Sequence, residues 1–286
     1  MNKDGILLLG GAGFIGNALA TRLKQASVPV HIVGRHNVGQ LEQLMPQCSM
    51  VIHLASETTP GSSARQAGLE LGNLTLTLRL LDELRAQPQI HLIYFSSGGT
   101  VYGNPEHLPV TESSPIAPLS NYGAGKAAQE SFCQALRAQG HAVTILRPSN
   151  AYGPGQTMKN GFGLVRTMLE HARLGTAVEI WGDGENVRDF IYIDDIVEAT
   201  LRVIAQPQDC GTYNLGSGAG YSVNQVRGMV EQVCGQTLPT TYRSARGLDV
   251  RSVVLDNTRF IECMGWQPTV GFADGVARTW EWLQRA

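Results

Sequence analysis

The residues with the clearest chemical use are Tyr122 and Lys126, which lie four positions apart in a segment with helical periodicity. At that spacing two side chains share one face of a helix, one turn apart. A phenol with a pKa near 10 is a poor base at neutral pH, but an adjacent ammonium stabilises its phenolate. The pair is therefore predicted to exchange a proton with a substrate hydroxyl. The alternative is a chance match in which Lys126 is simply exposed to solvent.

A glycine-rich turn, Gly10-Gly11-Ala12-Gly13-Phe14-Ile15-Gly16, follows a short apolar run and precedes a helical pattern. Without Cβ atoms, the backbone can turn tightly and approach a pyrophosphate, which then lies against the N–H groups of the helix N-terminus. Because both the strand and the helix are present, we predict a dinucleotide site and not an ordinary tight loop. Its predicted residues are Gly10, Gly13, Phe14, Ile15 and Gly16.

The end of the second predicted strand, Val33-Gly34-Arg35-His36, bears on the choice of cofactor. It contains no Asp or Glu for the 2′-hydroxyl of NAD, whereas Arg35, helped by His36, suits the 2′-phosphate of NADP. We therefore predict an NAD(P) site with NADP slightly favoured over NAD. The alternative is that Arg35 is a solvated surface residue.

The elements that must position these residues alternate between short apolar strands and helices, which predicts a Rossmann α/β fold with a doubly wound parallel sheet. The chain is expected to divide into a dinucleotide-binding domain over residues 1–150 and a smaller, mainly substrate-binding lobe over 151–286. Phe190–Ile204 is a candidate segment for crossing back to the first domain. The predicted strands are Ile6–Leu9, Val28–Val33, Met50–Leu54, His91–Phe95 and Ala142–Leu146, and the predicted helices are Phe14–Ala26, Leu71–Leu84 and Tyr122–Ala138.

Composition excludes several classes of function. The 286 residues are 43% hydrophobic and 16% charged, with a net charge of −2, which argues against a nucleic-acid or anionic-membrane partner. Five scattered cysteines with no C-x-x-C pair support neither a disulfide framework nor a zinc site, and no other metal site is predicted. No apolar stretch approaches the roughly 20 residues of a membrane span. With no room for a signal peptide before the first strand, a cytoplasmic protein is expected.

Together these motifs resemble those of the extended short-chain dehydrogenases/reductases, within the nucleotide-sugar epimerase/dehydratase family. The resemblance covers essentially the whole chain and implies a nucleotide-sugar substrate, with UDP as the expected nucleotide, and a homodimer. The matching segments are the glycine turn, His53-Leu54-Ala55, Asn73, Ser96–Gly103, Tyr122 with Lys126, Leu146–Asn150, Trp181–Gly184, Val187–Tyr192 and Tyr213–Gly218.

The resemblance implies that Tyr122 removes the C4 hydroxyl proton while hydride passes to the nicotinamide, and that Lys126 binds the nicotinamide ribose. The resulting 4-keto sugar then rotates about its pyrophosphate linkage, and hydride returns to its other face. A further hydroxyl usually stands at the position of Gly98, and in some double-glycine members one residue earlier, so Ser97 is the first candidate and Thr100 the second. The remaining cofactor contacts that the resemblance implies are Leu54, Ala55, Asn73, Ser96 and Pro148.

On the substrate side, the resemblance implies that Arg188 and Arg246 clamp the diphosphate, for which a planar guanidinium is well suited. Arg188 is alternatively part of a surface ion pair with Asp189. The other implied contacts are Asn150 near the diphosphate, Asp249 at the nucleotide ribose, Val178 and Ile180 beside a uracil, and Val253 beside the sugar 2-substituent. Val178 and Ile180 are alternatively part of a buried strand.

The expected activity is a 4-epimerase of UDP-hexoses or UDP-N-acetylhexosamines. The alternatives are an NADPH-dependent nucleotide 4-keto-sugar reductase and a nucleotide-sensing protein without turnover. Dehydration is not expected, because Gly99 and Thr100 replace the Asp-Glu pair that related dehydratases need. In the family, dimers pack through the helices that match Leu74–Arg85 and Tyr122–Ala138. Leu76, Leu80, Leu84 and Phe132 are candidate dimer contacts or, alternatively, core residues.

Overall fold

The computed structural model describes residues 5–158, 162–208, 210–245 and 250–285. A six-stranded, fully parallel sheet runs in the order β2-β1-β3-β4-β5-β9. The strands are β1 (Gly5–Leu9), β2 (Val30–Val33), β3 (Cys48–His53), β4 (His91–Phe95), β5 (Val143–Pro148), β6 (Asn150–Tyr152), β7 (Val178–Trp181), β8 (Val187–Tyr192), β9 (Thr212–Leu215), β10 (Gly220–Ser222), β11 (Thr240–Arg243) and β12 (Ser252–Val253).

Helices cover both faces of this sheet, as the doubly wound prediction requires. The α-helices are α1 (Phe14–Gln25), α2 (Leu41–Leu44), α3 (Glu70–Arg85), α4 (Gly98–Val101), α5 (Asn121–Ala138), α6 (Leu164–Leu174), α7 (Ile193–Ala205), α8 (Val223–Cys234), α9 (Thr258–Met264) and α10 (Phe272–Arg285). Within the described ranges, none combines the length and the apolar character that a bilayer crossing demands.

The strand β1 shows how the sequence builds the two layers. Successive side chains of a strand point to opposite faces. Leu8 accordingly packs in one core with α1 and α7, whereas Leu7 and Leu9 pack in the other with α3 and α5. Leu80 and Leu84 of α3 are fully buried in that second core. These two candidate dimer contacts are therefore core residues, as the alternative had it.

The place where the fold is expected to bind a ligand is the point at which the strand order reverses. From β1 the chain passes to the edge strand β2 and then returns to β3 on the other side of β1. The connection 34–47 is short and forms only helical turns and α2, so this segment adds no strand outside β2. In open α/β sheets, ligands bind outside the carboxyl ends of the strands at such a reversal. The predicted glycine turn follows β1 at this point.

The C-terminal part of the chain contributes to two layers. The strand β9 completes the parallel sheet beside β5, and Ile196 and Val203 of α7 pack with α1 in the first core. The remaining strands form small sheets around β8 and the pair β7–β11, and these pack with α6, α8 and α10 in a separate core. A boundary near residue 150 stays a prediction, because β9 and α7 lie against the first domain.

Candidate active site

The glycine turn forms a cradle of bare backbone at the reversal point. Gly10 has a φ of 90°, and a Cβ atom there would lie 2.5 Å from the backbone nitrogen of Ala55. A Cβ atom on Gly16 would lie 2.6 Å from the Gly10 carbonyl oxygen. Helix α1 begins at Phe14 with no side-chain cap and no acid in its first turn. Its N-terminal N–H groups and positive dipole end therefore suit the pyrophosphate of a dinucleotide.

The loop after β3 forms the opposite wall of this cradle, and Asn73 holds it in place. The backbone N–H of Glu57 donates to Asn73 Oδ1 at 2.8 Å, and Asn73 Nδ2 donates to Thr58 Oγ1 at 2.8 Å and to Glu70 Oε2 at 3.0 Å. Asn73 is buried, and these contacts are all with protein groups. Its visible function is to shape the loop, while its predicted contact with the cofactor stays a prediction.

Leu54 and Ala55, at the start of the same loop, are partly exposed beside the glycine turn. The backbone N–H of Leu54 donates to the Leu9 carbonyl at 2.8 Å, which ties the end of β3 to the end of β1. This places both residues at the crevice where the resemblance implies cofactor contacts.

The Arg35 guanidinium is not isolated in solvent. Its Nε lies 3.2 Å from Glu57 Oε1, with 70% of the Arg35 side chain and 51% of the Glu57 side chain exposed. His36 is also exposed. A carboxylate therefore stands beside the arginine on which the NADP prediction depended. Sequence reasoning missed Glu57 because it is distant from Arg35 in the chain and matches no motif.

The predicted proximity of Tyr122 and Lys126 is present at the start of α5. Ser120 caps this helix, its Oγ accepting from the Gly123 N–H at 3.1 Å. Lys126 is only 4% exposed, and its Nζ donates to the Phe95 carbonyl oxygen at 2.9 Å. The same Nζ lies 6.0 Å from the centre of the Tyr122 ring. The alternative of a solvent-exposed lysine is therefore wrong.

The electrostatics of the pair differ from the simple expectation. Burial, and secondarily the Glu70 carboxylate, raise the pKa of Tyr122 above its ordinary value, while a hydrogen bond with Ser56 opposes this. Burial lowers the pKa of Lys126 to about 8, against the influence of Glu70 and Glu130. The Tyr122 pKa is thus raised in this structure and not lowered as predicted, because burial disfavours any charged form.

The structure explains why glycine stands at position 98. A Cβ atom there would lie 2.6 Å from Leu255 Cδ1 and 2.7 Å from the Arg147 carbonyl oxygen, so a serine cannot fit. Ser97 is the N-cap of α4, but its hydroxyl makes no capping hydrogen bond. It is therefore available to a substrate, as required of the first-choice hydroxyl. The Thr100 hydroxyl instead points to the Ser97 carbonyl oxygen at 3.5 Å.

Two further cofactor candidates lie at the carboxyl ends of neighbouring strands. Ser96 follows β4 and is buried, with no hydrogen-bond partner for its Oγ. Pro148 is the last residue of β5 and pairs with Leu215 of β9. Both therefore lie on the edge of the sheet that carries the glycine turn.

Asn150 and Arg188 lie on the small sheet that continues from β5. Asn150 Nδ2 donates to the Asp189 carbonyl oxygen at 2.9 Å, and it also lies 3.5 Å from where a Cβ atom of Gly99 would be. Asn150 therefore borders the loop that carries Ser97. Arg188 is half-buried on β8, and its Nη1 donates to the Val187 carbonyl at 2.9 Å. The Asp189 carboxylate, which the alternative interpretation paired with Arg188, accepts from the Ser149 and Ser217 hydroxyls.

The structure places the predicted apolar contacts in the interior. Val178 and Ile180 are buried in the core of the C-terminal helices, so the buried-strand alternative describes them. Val253 is also buried, beside Val101 and Tyr102, and presents almost no surface to a sugar. The predicted Arg246 and Asp249 lie outside the described residues.

The sequence matches the model of the NAD dependent epimerase/dehydratase family over residues 6–216. A UDP-glucose 4-epimerase of Mycolicibacterium smegmatis is 30% identical over 308 residues, covering 97% of this chain and 98% of the relative. The solved UDP-glucose 4-epimerase of Thermotoga maritima, with UDP-glucose, is 29% identical with a TM-score of 0.90, covering 98% of this chain and 99% of that one.

A second solved structure, the UDP-glucose 4-epimerase of Thermus thermophilus in complex with NAD, has a TM-score of 0.91 at 27% identity and covers 99% of each chain. The family match spans the glycine cradle, the Tyr122–Lys126 pair and the strand β9. The chain therefore belongs to the NAD dependent epimerase/dehydratase family and is an enzyme of the extended short-chain dehydrogenase/reductase type.

Proposed function

We propose that this enzyme is a nucleotide-sugar 4-epimerase that acts on a UDP-hexose or a UDP-N-acetylhexosamine. The observation that carries the proposal is the position of Tyr122 and the buried Lys126 at the same sheet edge as the glycine cradle. The pair can exchange a proton with a hydroxyl held over the carboxyl ends of the strands. The likeness to UDP-glucose 4-epimerases along the whole chain supports the same reaction.

In this reaction a bound nicotinamide cofactor supplies the hydride acceptor and later the hydride donor. Tyr122, as its phenolate, takes the proton of the C4 hydroxyl and returns it to the epimeric hydroxyl. Lys126 provides the positive charge that stabilises the phenolate. Ser97, whose hydroxyl has no capping duty, holds the reacting oxygen. Asn150 and Arg188 anchor the diphosphate while the sugar presents first one face and then the other.

Two other reactions have less support. Elimination of water needs an acid and a base beside C5 and C6, yet position 99 faces Asn150 without any side chain. The reductase alternative, and with it the preference for NADP, depended on an arginine available for a 2′-phosphate. Since Glu57 pairs with Arg35, a phosphate there would meet a carboxylate as well as the guanidinium. We therefore propose NAD as the cofactor, retained through the catalytic cycle.

A homodimer in the cytoplasm completes the proposal. Of the four apolar residues considered for the dimer face, Phe132 of α5 is 42% exposed and Leu76 of α3 is partly buried. Leu71, also on α3, is 65% exposed and adds to the apolar surface near the start of that helix. Light scattering at micromolar concentration tests the proposal, since a monomer there contradicts it.

The function is tested by mixing the purified protein with UDP-glucose and, separately, UDP-N-acetylglucosamine, with no cofactor added, and following the anomeric protons by NMR. Appearance of the corresponding galacto epimer is the expected result. If neither sugar changes but NADPH is oxidised when a nucleotide 4-keto sugar is supplied instead, the protein is a reductase. No conversion of either sugar, with or without NAD, contradicts the proposed substrates.

A further inference from the structure

Glu70 is a buried acid that the proposed reaction leaves without a role. It opens helix α3 and is 9% exposed. Its Oε2 accepts from Thr58 Oγ1 at 3.1 Å and from Asn73 Nδ2 at 3.0 Å, whereas its Oε1 is buried with no hydrogen-bond partner. Within the described parts of the chain, no Lys or Arg forms an ion pair with it. Burying a carboxylate without a cation costs free energy of folding. We therefore expect Glu70 to have a function that offsets this cost.

The catalytic segment itself makes room for this carboxylate. Gly125 lies between Tyr122 and Lys126 in α5, and a Cβ atom on it would lie 2.6 Å from Glu70 Oε2 and 3.0 Å from its Cδ. Glycine is unfavourable in a helix interior. Its use here lets the carboxylate pack against the backbone of the turn that carries both catalytic side chains. Even alanine at position 125 would displace the acid.

The other titratable groups around Lys126 carry no net charge to balance its ammonium. His53 is neutral, because burial lowers its pKa to about 3. Burial raises the pKa of Cys133 to about 12 and that of Tyr94 well above its usual value, so both stay protonated. Burial also raises the pKa of Tyr122, so its phenol is protonated at neutral pH. The groups that face Lys126 are thus His53 on β3, Tyr94 on β4, Glu70 on α3, and Tyr122, Glu130 and Cys133 on α5.

Of the two acids in that set, Glu130 already forms an ion pair with a cation. Arg147 holds it with three hydrogen bonds, the shortest being 2.7 Å from Nη2 to Oε2, and both side chains are almost fully buried. The negative charge of Glu70 has no such partner. Glu70 is therefore the one uncompensated charge, among the described neighbours of Lys126, that favours the ammonium.

We propose that Glu70 is a positioning residue whose buried carboxylate is the counter-charge of Lys126, holding the lysine in its charged form and opposing ionisation of Tyr122. The effect of Glu70 on catalysis rests on the proposed function, whereas its effect on the charge of Lys126 is tested without turnover. Removing the negative charge disfavours the ammonium and eases formation of the phenolate. Both groups then titrate at lower pH, and both limbs of the pH–rate profile move in the acid direction. A purely structural role would lower the rate without moving the limbs.

The direct test is the titration of Lys126 by NMR in protein labelled with ¹³C at lysine Cε. The chain contains four lysines, at positions 3, 24, 126 and 159, so the Lys126 signal is assigned from a Lys126→Arg sample. Glu70→Gln keeps an oxygen acceptor for Thr58 and Asn73 but removes the charge. With excess NAD in every sample, we expect the Lys126 midpoint to fall by about one pH unit, the lower end of the effect of a nearby opposite charge.

The matched control is Glu83→Gln, the same change on the same helix about 20 Å along its axis, which should leave the midpoint where it is in the parent protein. A folded Glu70→Gln protein with an unchanged Lys126 midpoint overturns the proposal. If Glu70→Gln does not fold, Gly125→Ala takes its place, because the added Cβ atom displaces the carboxylate. A lower Lys126 midpoint in that variant supports the proposal, and an unchanged midpoint overturns it. The titration needs no turnover, so its outcome is separate from that of the epimerase assay.

Discussion

The dinucleotide half and the substrate half of the candidate site are built in different ways. In the first half, backbone atoms form the binding surface. The glycine turn after β1 leaves no space for a Cβ atom at Gly10 or Gly16, and an uncapped helix begins beside it. In the second, side chains from several strands, among them Asn150 and Arg188, must come together in the small sheet around β8. Local backbone constraints are easier to predict from sequence than such assemblies, because each requires only a few consecutive residues.

A first prediction concerns the backbone-built half of the site. Gly16→Ala places a Cβ atom 2.6 Å from the Gly10 carbonyl oxygen and the Gly11 Cα, so the cradle must open. Overpacking of this kind costs about 1–3 kcal/mol, and we expect cofactor affinity to fall at least about tenfold. Isothermal titration of the cofactor-free protein with NAD measures this affinity. Gly39→Ala, at a position with open space around it, is the matched control and should bind like the parent protein.

The next prediction separates core residues from substrate contacts. Ile180→Ala removes a buried side chain from the C-terminal core and should lower the free energy of unfolding by about 2–5 kcal/mol. The KM for the UDP-sugar should stay within about twofold, because Ile180 presents little surface to a base. Denaturant unfolding and initial rates give the two numbers. A raised KM in a stable protein would instead support the predicted contact of Ile180 with uracil. Glu179→Ala, at the exposed neighbouring position, controls for changes in β7.

Arg188 tests whether the second half binds a diphosphate at all. Loss of a hydrogen bond to a charged group costs about 1.5–3 kcal/mol, so Arg188→Ala should raise the KM about 10- to 100-fold with kcat largely preserved. Arg188→Lys should recover only part of the affinity, since an ammonium cannot bind two phosphate oxygens in the same plane. Arg251→Ala, in an exposed ion pair with Asp183, is the control. An unchanged KM in Arg188→Ala would limit the arginine to a structural role.

The smallest effect is expected at the adenine end of the first half. Exposed ion pairs contribute only about 0.2–1 kcal/mol, so Glu57→Gln should raise the affinity for NADP relative to NAD by no more than about fivefold. The change frees Arg35 for a 2′-phosphate without adding a contact to NAD. Competition binding of the two cofactors measures the ratio. A shift towards NAD would contradict the interpretation of this ion pair.

The comparison also explains what could be predicted from the sequence. The strand His91–Phe95 was predicted at its observed bounds, and α1, α3 and α5 to within two residues at each end, because apolar periodicity is a local property. The proximity of Tyr122 and Lys126 likewise follows from helical spacing. Both depend on residues close together in the chain.

What could not be predicted depends on contacts between distant segments. Neither the Arg35–Glu57 pair nor the contact of Glu70 with Gly125 leaves a local pattern, since each joins residues 22 or more positions apart. The alternating burial of β7 decides that Val178 and Ile180 face the core, which a short apolar run alone does not reveal. Position 98 carries glycine because Leu255 fills the space beside it, a contact across 157 residues.

The central claim is that the sugar is oxidised at C4 and that the same hydride returns to C4 within one binding event. The most direct measurement uses UDP-glucose and UDP-N-acetylglucosamine with deuterium at C4, in ordinary water, with the protein as purified. NMR and mass spectrometry then follow the label in the epimer. We predict that the galacto product keeps its deuterium at C4 and that Tyr122→Phe slows its formation by about 10²–10⁴-fold. A product that carries protium at C4, or one formed as fast without the Tyr122 hydroxyl, would contradict the proposed mechanism.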